Sequence, residues 1–74
     1  MFNFLDVVKW AGECLNIAEK NDVMVVEDCD ENYVTVRHLL NNQISKEREM
    51  NLKFVGRCSS YENIKDIIER YKNA

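Results

Sequence analysis

Apolar residues recur at helical spacing near both ends of the chain, whereas its middle part alternates between apolar and polar positions. In residues 3–20 the apolar positions follow the i, i+3, i+4 rule of a helix that buries one face. They are Phe4, Val7, Val8, Ala11, Cys14, Leu15 and Ala18. The pattern predicts a first amphipathic helix, with Asn3 as its N-cap and Asn21-Asp22 at its end.

Two runs rich in β-branched residues, 23–28 and 33–39, predict a β-hairpin. If residues 30–32 form a three-residue loop, Asn32 supplies the left-handed conformation that such loops need. Side chains alternate along a strand, so this register separates the hairpin into two faces. One carries Met24, Val26, Val34 and Val36, and the other carries Val23, Val25, Glu27, Tyr33, Thr35 and Arg37.

The segment between this hairpin and the next apolar run has no single interpretation. Residues 41–49 are polar and predict a loop. Val36, Leu39, Leu40 and Ile44 also fit helical spacing, which leaves a short helix as the alternative. Met50, Leu52 and Phe54 then alternate with more polar neighbours and predict a third strand, which Gly56 interrupts.

A second helix is predicted near the C-terminal end. Ser59 and Glu62 have the spacing of a capping box, and Ser60 is an alternative cap. A helical stripe of apolar residues follows, consisting of Tyr61, Ile64, Ile67, Ile68 and Tyr71. Arg70 and Lys72 lie close to the end of this helix, where the helix dipole favours cations.

The predicted fold is α+β, in the order α-β-β-β-α, with both helices packed on one face of a three-stranded antiparallel sheet. Residues 1–74 are expected to form a single small domain, close to the lower size limit for a stable core. The element order resembles that of the double-stranded-RNA-binding domain. The last helix, however, starts "SSYENIKD" with Lys65 as its sole base, and the first hairpin loop is the acidic "EDCDEN". Both positions lack the residues that bind RNA in that family, so no membership is predicted.

The net charge of −3 is divided unevenly, with −6 over residues 1–34 and +3 over residues 35–74. A field divided in this way favours oriented docking on another protein over attraction to a polyanion. The three cysteines are odd in number and lack paired spacing, which favours a reducing, cytoplasmic environment. No secretory signal or membrane span is expected.

Candidate chemistry is sparse. Asp28, Asp30 and Asn32 match three ligand positions of a calcium loop, but Tyr33 and Leu39 stand where that loop needs glycine and glutamate. A zinc site would need paired ligands, and Cys14, Cys29, His38 and Cys58 are dispersed along the sequence. The chain has no glycine-rich phosphate loop. We therefore expect no metal, no cofactor and no enzymatic activity.

Two surfaces are candidates for binding another protein. Trp10 and Ile17 lie seven residues apart on the first predicted helix and widen its apolar arc, which makes them candidate apolar anchors. Three acidic residues at the hairpin tip, Asp28, Asp30 and Glu31, form a candidate electrostatic knob. The leading hypothesis is thus a small regulator or inhibitor that works by occupying a protein surface.

The alternative hypothesis is a weak binder of single-stranded nucleic acid. It uses the exposed sheet face, with Tyr33 as a stacking residue and Arg37, Lys53 and Arg57 as phosphate contacts. A homodimer without any other partner is a third hypothesis, since further apolar residues such as Phe2 and Leu5 lie off the main stripe. The absence of proline and the many asparagines and lysines are typical of AT-rich genomes, and suggest a bacterium or its phage as the source.

Overall fold

The computed structural model describes residues 1–12, 16–60 and 63–74, and it shows a five-stranded antiparallel sheet with one longer helix. The strands are β1 (Asp6–Trp10), β2 (Met24–Cys29), β3 (Val34–His38), β4 (Gln43–Glu47) and β5 (Leu52–Arg57). The helices are α1 (Ile17–Lys20), the 3-10 turn η1 (Glu49–Asn51) and α2 (Ile64–Tyr71). The strand order is β4-β3-β2-β1-β5, so β4 and β5 form the two edges.

The predicted order α-β-β-β-α is wrong. Where one long helix is expected over residues 3–20, the structure has the strand β1 and the four-residue helix α1, while residues 13–15 lie outside the described chain. β1 pairs with β2 on one side and with β5 on the other, and is therefore the link between the two parts of the sheet. The topological resemblance to the double-stranded-RNA-binding domain ends with this strand.

The turn before β1 uses the residues that were expected to begin a helix. The backbone N–H of Asn3 donates to the Asp6 carboxylate at 2.8 Å, and the N–H of Asp6 donates back to the Asn3 carbonyl at 3.0 Å. Leu5 adopts a left-handed conformation with φ 69°. These contacts reverse the chain direction and lead directly into β1.

The hairpin of β2 and β3 confirms the prediction from β-branched residues. Val26 pairs with Val36, and Met24 pairs with His38. The predicted loop is wrong, because Cys29 pairs with Val34 and leaves a four-residue connection. Asn32 is not among the residues with positive φ. A bulge after Val26 shifts the register on β2.

The polar segment that was expected to be a loop or a short helix forms the edge strand β4. Ser45 pairs with Val36, and Ile44 pairs with Arg37. Asn42 has φ 59° in the turn that connects β3 to β4, a conformation that asparagine tolerates better than most residues. The predicted third strand is confirmed as β5, and it continues through Gly56 to Arg57 instead of stopping.

Two apolar clusters lie on the two faces of the sheet. The face that carries Val7 and Val25 contacts α2 and is called the helix face; its cluster contains Val7, Val23, Val25, Leu39 and Ile67. The other is called the opposite face; its cluster contains Val8, Met24, Val26, Val34, Val36 and Leu52, with Phe2, Trp10 and Cys29 packed against it. The two helices expected on one face are thus replaced by one helix and a second buried face.

Helix α2 confirms the second predicted helix but begins later than the capping box implies. Its N-cap is Asn63, in a left-handed conformation without a side-chain cap hydrogen bond. Tyr61 of the predicted stripe and Glu62 of the predicted capping box lie outside the described residues. Ile67 is buried, and Ile64, Ile68 and Tyr71 pack beside it. The Tyr71 ring lies directly over Gly56, where a β-carbon would overlap it.

A buried lysine fixes the end of α2 to the sheet. Lys9 on β1 is 3% exposed, and its Nζ donates to the backbone oxygens of Lys72 at 2.6 Å and Ala74 at 3.3 Å. A cation is favoured at this end of a helix because the last carbonyl groups carry partial negative charge. Lys9 therefore links the interior strand β1 to the C-terminal end of α2.

Candidate protein-interaction surface

The segment 48–51 carries the chain from one edge of the sheet to the other. It leaves β4 after Glu47, which pairs with Val34, and enters β5 at Leu52, which pairs with Trp10. The Asn51 carbonyl accepts from the Ala11 N–H at 2.9 Å. The N-terminal segment lies beside η1, because the Met1 amino group is 3.0 Å from the Glu49 carboxylate.

Large exposed side chains gather around η1 from three distant parts of the sequence. Met50, next to Glu49 in the sequence, is 78% exposed, and Met1, whose amino group contacts Glu49, is 93% exposed. The guanidinium of Arg48 lies 5.4 Å from the ring centre of Tyr33, which is 39% exposed. We call Met1, Tyr33, Arg48, Glu49 and Met50 the η1 surface.

Tyr33 connects the η1 surface to the acidic hairpin tip, which carries Asp28, Asp30 and Glu31. The Asp30 carboxylate accepts from the backbone N–H groups of Asn32 at 2.8 Å and Tyr33 at 2.7 Å. These two bonds, first that of Asn32, lower the pKa of the Asp30 carboxyl. Glu31 is exposed, and Asp28 is exposed on β2. Asp30 thus also holds its own loop in shape, while Lys46 contributes opposite charge nearby.

The predicted anchors Trp10 and Ile17 do not share a helix. Trp10 is on β1, half-buried against the opposite-face cluster, and its Nε1 donates to the Asp22 carboxylate at 3.0 Å. Ile17 is 76% exposed on α1. The helical spacing that connected these two residues is absent, and neither belongs to the η1 surface.

The residues of the nucleic-acid hypothesis do not form one platform. Arg37 lies on β3, where its guanidinium is 3.0 Å from Glu27 and donates to Asn42 at 2.7 Å. Lys53 is on the edge strand β5, separated from β3 by β1 and β2. Arg57 contacts Asp6 at 3.1 Å, and Tyr33 lies in the loop before β3. Val25, expected on an exposed face, is fully buried under α2.

A chain of polar side chains at the end of the opposite face was not anticipated from the sequence. His38 Nδ1 is 2.9 Å from the Asp22 carboxylate, and His38 Nε2 is 2.7 Å from the Ser45 hydroxyl. Ser45 Oγ is in turn 2.9 Å from the Glu47 carboxylate. The one signal in the sequence was the position of His38 on the same face as Val36, at the end of its strand.

The order carboxylate–imidazole–hydroxyl is that of a serine hydrolase triad, but the contact to Glu47 changes its chemistry. One hydroxyl proton cannot be donated to both Glu47 and His38. A carboxylate beside the serine oxygen also opposes the negative charge that develops during acyl transfer. We interpret this polar chain as a structural clamp that connects the α1–β2 loop, β3 and β4.

The described cysteines have little nucleophilic character. Burial is the largest cause that raises the pKa of both Cys29 and Cys58, which lowers the thiolate fraction at neutral pH. Cys29 Sγ donates to the Phe2 carbonyl at 3.1 Å. Within residues 1–12, 16–60 and 63–74, no three potential ligands among His, Cys, Asp and Glu are arranged to hold a metal ion.

Comparison of the chain with protein-family models, with curated proteins and with solved structures found no match. The described helices include none that is long and apolar enough to cross a membrane.

Proposed function

We propose that the chain is a non-enzymatic protein-interaction module that binds another protein through the η1 surface. The observation that supports this proposal is the convergence of Met1, Tyr33 and Met50 around one short turn, all of them exposed. Monomeric proteins rarely expose contiguous apolar patches without a binding role. Methionine suits such a role because its flexible, polarisable side chain adapts to the shape of a partner.

The charged neighbours of the η1 surface define the partner's chemistry. Tyrosine and arginine are enriched among residues that dominate binding energy, and Tyr33 and Arg48 contact each other within the η1 surface. Asp30 and Glu31 form an acidic rim next to Tyr33. The partner is expected to present an apolar pocket flanked by basic residues, and the chain would regulate or inhibit it by covering that pocket.

The test is affinity capture from the source cell with matched variants. Met50→Asp places a charge at the centre of the apolar contact and should lower affinity for the captured protein at least tenfold. Ile44→Asp is the control, since Ile44 is 53% exposed on β4, on the helix-face side. Capture that survives Met50→Asp but not Ile44→Asp would disprove the proposed surface.

The acidic rim is tested by association kinetics with the same partner. Asp30→Asn with Glu31→Gln should slow association severalfold and flatten its dependence on salt, because rim charges act mainly on encounter. An unchanged association rate would restrict Asp30 and Glu31 to a structural role in the turn. The molecular mass of the chain in solution separates binding to another protein from self-association. If the chain is a dimer and Met50→Asp dissociates it, the partner of the η1 surface is a second copy of the chain.

A further inference from the structure

A polar cavity of about 320 Å³ lies on the other side of the molecule, between the end of β5, residues 58–60 and α2. It is independent of the η1 surface. Arg57 and Arg70 reach it from two different elements, and Ser59, Ser60 and Asn63 complete most of its polar lining. Its size is at the lower end of the range for small-ligand sites.

The two arginines have donor groups to offer in this cavity. Arg57 donates from Nε to the Asp6 carboxylate at 3.1 Å, and this contact holds the side chain while it uses only one of the five guanidinium donors. The guanidinium carbon of Arg70 lies 6.0 Å from the ring centre of Tyr71, a cation–π contact that requires no hydrogen bond from its N–H groups.

The donors of the cavity favour an anion. Two guanidinium groups line one small space, and although Asp66 and Asp6 balance their charge, each keeps N–H groups that its contact with Asp6 or Tyr71 does not use. The Ser59 hydroxyl and the side-chain amide of Asn63, the N-cap of α2, add donors to the lining. A carboxylate has two oxygens to accept these bonds, whereas a phosphate has more oxygens in a tetrahedral arrangement and a larger charge.

We propose that this cavity binds a phosphate group, either as the free ion or as a phosphate monoester. Binding would be weak for the free ion, since the site is open to water and surface charge pairs are screened. A monoester would gain from contacts made by the rest of the ligand. The proposal requires no bond to form or break.

The test is titration of the ¹⁵N-labelled chain with sodium phosphate at constant ionic strength, followed through amide chemical shifts. Saturable shifts are expected at Ser59, Ser60 and Asn63. Arg70→Gln should weaken binding at least tenfold. Lys65→Gln is the matched control, because it removes the same charge from an exposed position of the same helix and should leave affinity within twofold.

Two further titrations, with acetate and with phosphoserine, distinguish the kinds of anion that the cavity could bind. Acetate at the same ionic strength should bind at least fivefold more weakly than phosphate, and phosphoserine should bind at least as tightly as phosphate. Shifts that do not saturate, equal effects of Arg70→Gln and Lys65→Gln, or equal affinity for acetate would each overturn the proposal.

Discussion

The two faces of the sheet are both buried, but by different means. On the helix face, Val7 and Val25 are covered by a separate element, α2, whose Ile67 completes the cluster. On the opposite face, Val8 and Val26 are fully buried without that helix, under the N-terminal residue Phe2 and beside Trp10. The helix-face core is thus closed by an added layer, the helix α2. The opposite-face core is formed largely by strand residues and by the N-terminal segment.

The two faces also differ in where they place polar groups. The helix face contains the buried cation Lys9, bonded to the end of α2. The opposite face ends in the clamp from Trp10 through Asp22 and His38 to Ser45. In both cases a polar contact fixes the position of an element that covers or borders an apolar cluster. Hydrogen bonds are directional, so they specify a geometry that apolar contact alone does not.

The largest expected effects come from neighbouring valines on opposite faces. Val25→Ala and Val26→Ala should each lower the free energy of unfolding by about 2 kcal/mol, because both side chains are fully buried. In the double variant with Ile67→Ala, the effect of Val25→Ala on the free energy of unfolding should deviate from additivity by more than about 0.5 kcal/mol. The effect of Val26→Ala should add to that of Ile67→Ala. Urea denaturation of the single and double variants measures both. Equal coupling for the two valines would mean that the clusters are not separate.

An effect of similar size is expected at the contact between β5 and α2. Gly56→Ala should destabilise the chain by about 1–3 kcal/mol, because its new methyl group overlaps the Tyr71 ring and displaces it. In a Tyr71→Ala background the same substitution should be nearly neutral, since the overlap is gone. Gly12→Ala is a contrasting control: Gly12 has φ 78° and open space around it, so only backbone strain of about 1 kcal/mol applies. A full penalty without the Tyr71 ring would refute the steric explanation.

The clamp of the opposite face should make the smallest contribution of the three. Asp22→Asn removes a charged acceptor shared by Trp10 and His38, and we expect a loss of about 1–2 kcal/mol. Glu31→Gln removes the same charge from an exposed position in the loop between β2 and β3 and should change stability by less than about 0.5 kcal/mol. Thermal unfolding at fixed pH compares the two variants. Equal losses of stability would show that the clamp contributes no more than an ordinary surface contact.

The sequence predicted the hairpin of β2 and β3 because its signal is local. Val34 and Val36 alternate with Thr35 and Arg37 on β3, β2 is rich in β-branched residues, and the connection between the strands is short. The same reasoning failed for β1, where Val7 and Val8 are adjacent and both fully buried, one on each face. A strand buried on both faces has no alternation, and its apolar residues can match helical spacing by coincidence.

Strand β4 was missed for a different reason. An edge strand with one exposed face can be almost entirely polar, since only the pairing with β3 defines it. The Asn41-Asn42 pair between two β-branched segments was a usable signal for a hairpin turn. The η1 surface could not be predicted at all, because Met1, Tyr33 and Met50 meet only through the path of residues 48–51. By contrast, the helical periodicity of its apolar residues was enough to identify α2.

Trp10 is the only tryptophan, and it is bonded to Asp22 beside the His38 ring, at 6.2 Å between ring centres. Its fluorescence therefore reports on one half of the molecule, while ellipticity at helical wavelengths reports mainly on α2. A single sample thus contains two optical probes, one for each core. Coincident melting curves from the two would establish that both cores unfold in one cooperative transition.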